Sequence, residues 1–168
     1  AASRIALGMQ DKLFLGNLDA KRDWGHAKDY AKMMWMILQA KKPEDWVIAT
    51  GKATSIRDFV IMAFDYLGVK IKFKGEGVNE LGIVEQCTNP DYKIEIGKEI
   101  IKVDPRYFRP TEVDFLIGDA SKAQNKLGWK ATTSLKELVN EMMESDLKLM
   151  SKEQFLIKNG FKTLNYFE

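Results

Sequence analysis

Two short segments carry the residue types from which a phosphate site can be built. In the first, Lys21-Arg22-Asp23-Trp24 follows Leu15-Gly16-Asn17. A polar loop is expected there, between a strand that ends at Gly16-Asn17 and a helix that starts near Gly25. An arginine fixed in such a loop presents a planar fork of donors to an anion, giving paired, charge-assisted hydrogen bonds. The second segment is Val103-Asp-Pro-Arg-Tyr-Phe-Arg-Pro-Thr-Glu112. It places Arg109 directly before Pro110, which restricts Arg109 to extended backbone, and sets a carboxylate, Glu112, three residues on. Two arginines and one acid suit a ligand with a diphosphate and a sugar hydroxyl. The plain alternative for either arginine is a surface salt bridge.

The elements that must position these residues alternate between strand and helix. Residues 1–10 read as the end of a helix, followed by a turn at Asp11-Lys12 and a strand over Leu13–Asn17. Ala27, Tyr30, Ala31, Met34 and Leu38 recur at helical spacing. Met33, Trp35, Met36 and Ile37 make the second half of that helix apolar nearly all round, which predicts deep burial. Asp23 is a candidate cap for this helix or an orienter of Arg22, and His26 is placed for packing or hydrogen bonding at the helix start. Trp46–Thr50 reads as a short buried strand. A helix spans Ile56–Leu67, started by Thr54 or Ser55 and stopped by Gly68. Strands are expected at Lys70–Lys74, Ile83–Cys87 and Glu99–Val103, with a turn at Asn89-Pro90-Asp91. A short helix covers Ser121–Leu127. Ser134-x-x-Glu137 is a capping box opening a last helix whose inner face is Leu135, Leu138, Val139, Met142 and Leu149. The tail from Ser151, with Phe155, Phe161, Tyr166 and Phe167, is apolar enough to be expected to dock.

Several segments resemble one family. Leu15–Tyr30, Pro43–Gly51 (PEDWVIATG), Ser55–Val60 (SIRDFV), Val103–Val113 (VDPRYFRPTEV) and Lys126–Trp129 (KLGW) are similar to the C-terminal part of the GDP-mannose 4,6-dehydratases. These belong to the extended short-chain dehydrogenase/reductase group. RDWGHAKDY and DPRYFRPTEV are the specific elements, and departures concentrate at Leu81–Glu99. The implied fold class is α/β, the last Rossmann elements plus a smaller sugar-nucleotide-binding domain. Residues 22–52 would return to the nucleotide-binding fold, with Trp46–Thr50 as an edge strand. Residues 53–112 would mostly build the smaller domain, and 113–168 the C-terminal helices and tail. The implied substrate is GDP-mannose and the implied cofactor NADP. A hydride leaves C4 of the mannosyl ring, water is lost across C5–C6, and the hydride returns to C6. The resemblance assigns Arg22 and Arg109 to the diphosphate of GDP and Glu112 to its ribose hydroxyls. For Asn17 a contact to the nucleotide base and a structural role in the turn stand side by side.

What the sequence lacks bears on the same reading. No G-x-x-G-x-x-G occurs; the nearest cluster is Gly75, Gly77 and Gly82. A cofactor pyrophosphate therefore has no cradle here of the kind a Gly-rich strand–turn–helix provides. The one Y-x-x-x-K match, Tyr66 to Lys70, has Gly68 between its members as a helix stop and is read as a decoy. No catalytic or cofactor-binding residue is therefore expected in this chain, and the N-terminal cofactor half of the family is expected to be absent from it. Such a piece is expected to be inactive alone. The resemblance also implies a homo-oligomer for the complete enzyme.

Composition agrees with an ordinary globular domain. Over 168 residues, 26 basic and 24 acidic side chains leave a formal charge of +2, which gives no reason to expect nucleic acid or an anionic membrane. One cysteine, Cys87, excludes an internal disulfide and suits a reducing, cytoplasmic compartment. One histidine and one cysteine argue against a zinc site. Neither a signal peptide nor an apolar run of membrane-spanning length is visible. Two other readings remain: a related sugar-nucleotide epimerase or reductase, and a nucleotide-sugar-binding module without catalysis.

Overall fold

The computed structural model describes residues 1–92, 94–112 and 116–163. Val113 of the second motif, and Tyr166 and Phe167 of the tail, lie outside the described residues. The chain forms two compact units, one built from Ala1–Asn17, Val60–Arg109 and Asn140–Glu168, the other from Leu18–Phe59 and Pro110–Val139.

The elements run α1 (Ala2–Ala6), β1 (Leu13–Leu15), β2 (Lys21–Asp23), α2 (Ala27–Leu38), β3 (Ala53–Ser55), α3 (Ile56–Tyr66), β4 (Val69–Lys74), a 3-10 turn (Gly77–Asn79), β5 (Leu81–Cys87), β6 (Glu99–Val103), α4 (Ser121–Leu127) and α5 (Leu135–Lys158). In the first unit, four strands form a mixed sheet in the order β1-β6-β5-β4. β1 runs parallel to β6, with Leu15 opposite Val103, and the other two pairings are antiparallel. Ile100, Ile101, Val103, Val69 and Val84 are buried along these strands. Ile100 and Ile101 point to opposite faces of β6, so both faces are covered there.

The second unit is built around Met33, Ala123 and Trp129, with Tyr30, Met36, Ile37 and Trp46 packed against them. Its two-stranded ladder pairs β2 with β3, Arg22 opposite Thr54. The start of α3 is tied back to the segment before β2: the Ile56 N–H donates to the Ala20 carbonyl (3.0 Å) and the Arg57 N–H to Leu18 (2.8 Å).

Local capping follows the sequence closely. The Ser55 hydroxyl accepts from the Asp58 N–H at 3.0 Å and donates to its carboxylate at 2.6 Å. Ser134 and Glu137 exchange bonds in both directions, Ser134 N–H to Oε2 at 2.7 Å and Glu137 N–H to Oγ at 3.2 Å, so the capping box opens α5 as its residue types require.

Five expectations need correction. Arg22-Asp23 is not in a loop but in β2, because the Ala53–Ser55 backbone supplies its ladder. Trp46–Thr50 has no ladder partner among the described residues and is no strand there. The second half of α2 is not buried all round. Met33 is fully buried, whereas Trp35 is 62% and Leu38 79% exposed, since Ala123 and Trp129 meet the helix on one side alone. The last helix runs on through Ser151 to Lys158 and buries Val139, Met143 and Met150 rather than Met142 and Leu149, a face displaced by one residue. Phe155 and Phe161 are exposed rather than docked.

Candidate functional site

In the second unit, β2 presents Arg22 and is pinned on both flanks. The Asp23 carboxylate accepts from the Thr50 N–H (2.9 Å), the Thr50 hydroxyl (2.6 Å) and the Gly51 N–H (2.9 Å). It therefore neither caps α2 nor orients Arg22. The Trp24 indole donates to the Thr54 carbonyl at 3.0 Å and stacks on Phe59, ring centroids 4.4 Å apart. His26 is the cap of α2, its Nδ1 accepting from the Lys28 N–H at 3.0 Å. With Nδ1 as acceptor, the neutral ring carries its proton on Nε2.

The Arg22 guanidinium is held in two ways. Nη1 donates to the Lys21 carbonyl at 2.8 Å and Nη2 to Glu112 Oε1 at 3.2 Å. Glu112 is the more enclosed partner, with 17% of its side chain exposed against 40% for Arg22. The structure thus brings two of the four sequence-derived site residues together, and the acid three residues after Arg109 pairs with Arg22. A half-exposed pair of this kind contributes at most about 1 kcal/mol to stability, so its weight lies in fixing the fork's direction.

In the same unit, Asp29 joins α2 to the segment before α5. Its carboxylate accepts from Thr132 N–H (3.1 Å), Thr132 hydroxyl (2.8 Å) and Thr133 N–H (2.9 Å), while its carbonyl accepts from the Trp129 indole at 2.9 Å. Burial pushes the Asp29 carboxyl up, but the Thr133 and Thr132 bonds outweigh it and hold the group at about 2.

The first unit holds the other pair. Asn17 Nδ2 donates to the Arg109 carbonyl and Oδ1 accepts from the Arg109 N–H, both at 2.7 Å. The Arg109 side chain itself is exposed. The loop before it is closed by Asp104, whose N–H donates to the Leu15 carbonyl at 2.8 Å and whose carbonyl accepts from Tyr107 and Phe108, each at 3.0 Å. The Arg106 guanidinium and N–H hold the Asp104 carboxyl below its usual range. Gly16 is needed here, because a Cβ at that position would collide with the Tyr107 carbonyl. Asp104, 8% exposed, was not singled out from sequence, although Asp-Pro after a strand is a turn signal.

The decoy motif is split by the fold. Tyr66 ends α3 and Lys70 lies in β4, with Gly68 at φ 74° between them, so they share no helical face. Among the described residues no cluster of three His, Cys, Asp or Glu could hold a metal, and no helix is long and apolar enough to cross a membrane. A cavity of about 600 Å³ in the first unit is lined by Arg4, Met9, Gln154 and Lys158. Another of about 490 Å³ in the second is lined by Trp24, Lys52, Thr132 and Lys130. Neither is lined by Arg22, Arg109, Glu112 or Asn17.

Several solved structures share this fold. They include RMD from Pseudomonas aeruginosa complexed with NADPH (TM-score 0.63, 16% identity, 88% of this chain and 40% of that one). A second is WbmF from Bordetella bronchiseptica in complex with NADH (TM-score 0.57, 21% identity, 95% of this chain and 39% of that one). The fold is therefore α/β, matching part of the fold of these proteins. Sequence similarity is more specific. The family model for GDP-mannose 4,6 dehydratase matches residues 1–142, and the chain belongs to that family. It is 47% identical to the GDP-mannose 4,6-dehydratase of Yersinia enterocolitica over 163 residues, 96% of this chain and 44% of that protein. It is 49% identical to the Homo sapiens enzyme over 150 residues, 89% of this chain and 38% of that protein. The chain thus spans less than half the length of these relatives.

Proposed function

We propose that this chain is the C-terminal, substrate-gripping part of a GDP-mannose 4,6-dehydratase, a lyase that converts GDP-mannose to GDP-4-dehydro-6-deoxy-mannose. The observation that carries the reading is the family match over residues 1–142, which includes Arg22, Arg109 and Glu112. In this reading Arg22 and Arg109 bind the diphosphate through their planar forks, and Glu112 accepts from the ribose hydroxyls. A carboxylate next to a diphosphate is tolerable where a cation shields it, and Arg22 stands 3.2 Å from Glu112. Residues 22–52 belong with the nucleotide-binding fold. Residues 53–112 belong mostly with the sugar-nucleotide domain and 113–168 with the C-terminal helices. The complete enzyme is a cytoplasmic homo-oligomer.

The residues of this chain do not fit a dinucleotide pyrophosphate. The N-termini of α2 and α5 are closed by their own caps, His26 and the Ser134–Glu137 box, and no Gly-rich strand–turn–helix occurs among the described residues. NADP, the cofactor of the proposed reaction, is assigned to the N-terminal half, and this chain's part is binding and orientation. A chimera tests the reading, with this chain replacing the matched segment of the Yersinia enterocolitica enzyme. It is expected to dehydrate GDP-mannose with added NADP, whereas the 168-residue chain alone gives no turnover. A folded, NADP-binding chimera without activity, or turnover by the purified chain alone, would contradict it.

A further inference from the structure

We infer that Asn17 is a positioning residue: its side-chain amide fixes the backbone of Arg109 and thereby the place from which that guanidinium reaches an anion. The inference rests on the proposed role of Arg109 and assigns Asn17 to the protein rather than to the nucleotide base.

The geometry is that of one added peptide rung. β1 and β6 run parallel as far as Leu15 and Val103, and the Leu15 carbonyl continues the pairing to the Asp104 N–H at 2.8 Å. Beyond that point the 104–109 loop leaves the sheet. Two residues further along the other strand, the Asn17 side chain takes up the contact again, meeting both the N–H and the C=O of Arg109 at 2.7 Å. A primary amide alone among short side chains offers a donor and an acceptor side by side in one plane, as a peptide does. The partners also fix its orientation, since an N–H must face Oδ1 and a C=O must face Nδ2. Aspartate would keep the first bond and set a carboxylate against the carbonyl; alanine would lose both.

The neighbours make this rung decisive. Gly16 lets the two backbones approach until no side chain fits beneath the Tyr107 carbonyl. Asp104 ties the loop's near end through Tyr107, Phe108 and Arg106. Arg109 is the far end, with an exposed side chain, and Pro110 after it has no N–H to donate. The Asn17 amide therefore holds both main-chain hydrogen-bonding groups of Arg109, while the long side chain is left to face a ligand.

Amide hydrogen exchange and ligand titration of the purified chain test the inference together. Asn17→Ala should speed exchange at the Arg109 amide at least about tenfold and leave the β6 amides of Ile101 and Val103 unchanged. It should also weaken GDP-mannose binding about tenfold, and Asn17→Asp should do the same. With Arg109→Ala already in place, adding Asn17→Ala should cost less than a further twofold, because the two substitutions remove one function. Unchanged exchange at Arg109 would overturn the inference. So would losses that multiply and come with a weaker preference for GDP-mannose over a UDP-sugar, the signature of a base contact. If the unmodified chain binds no GDP-mannose, the functional reading of this segment fails, and the exchange result still decides what Asn17 does.

Discussion

Arg22 and Arg109 are the same residue type in motifs of similar look, yet the protein grips them differently. Arg22 stands on a strand whose backbone is laddered to β3, and its guanidinium is directed by Glu112 and the Lys21 carbonyl. Arg109 stands in a loop, and the part of it that is held is the peptide, through Asn17. One cation is aimed by its head, the other by its base. The first arrangement leans on carboxylates, Asp23, Asp29 and Glu112, each accepting from donors in its own unit. The second leans mainly on main-chain bonds, with the buried Asp104 closing its loop.

Breaking the carboxylate scaffold should have the largest effect. Asp29→Ala removes three bonds to Thr132 and Thr133 and leaves their N–H groups without a carboxylate, a loss of about 3 kcal/mol in urea unfolding. The same group sets an acid limit. Its folded value of about 2 lies below that of about 3.9 for an exposed aspartate, so the folded state binds this proton less readily than the unfolded state. The resulting stabilisation, about 2 kcal/mol, is present above pH 4 and is lost as pH falls from about 4 through 2. Unfolding curves of the wild type between pH 6 and 2 should show that loss, and Asp29→Ala should show less of it.

A smaller effect is expected where the two regions differ in chemistry. Glu112→Gln in the complete enzyme should weaken GDP-mannose binding about tenfold, from the loss of a charged acceptor for the ribose. A deoxyribose analogue of the substrate should be affected little, and equal losses for both ligands would make Glu112 merely the partner of Arg22. The smallest change should follow Arg106→Ala. That guanidinium is 78% exposed on its 2.7 Å pair with Asp104, while Asp104 keeps its bond from the residue 106 N–H. The melting temperature should fall by no more than corresponds to about 1 kcal/mol.

Most of the elements were legible because their signals are local. Gly68 stopping α3, the Ser134–Glu137 box and the alternation of Lys70–Lys74 each depend on neighbours in sequence. Position within the site was not legible, because it depends on partners far along the chain. Nothing within β2 announces that Asp23 will receive Thr50 and Gly51, or that Glu112 will face Arg22 rather than Arg109. Trp35 and Leu38 show the same limit from the other side. Their apolar character is plain, but whether a helix face is covered depends on what packs there, and within this unit only the Met33 side of α2 meets Ala123 and Trp129. Asn17 was visible as a candidate, yet both its proposed roles fitted its position after a strand, and only the two 2.7 Å bonds show where its amide is held.

We propose that Arg22 and Arg109, though mounted differently, each bind the diphosphate of GDP-mannose. Calorimetric titration of the complete enzyme carrying Arg22→Ala or Arg109→Ala, against GDP-mannose and NADP in turn, separates this from a role in folding. Each substitution should weaken GDP-mannose binding by roughly 10- to 100-fold, as expected for hydrogen bonds to a charged group. Arg→Lys should restore little of it, since an ammonium lacks the planar fork, and NADP affinity should stay as it was. Equal losses for both ligands would contradict the claim and leave the arginines with a role in folding alone.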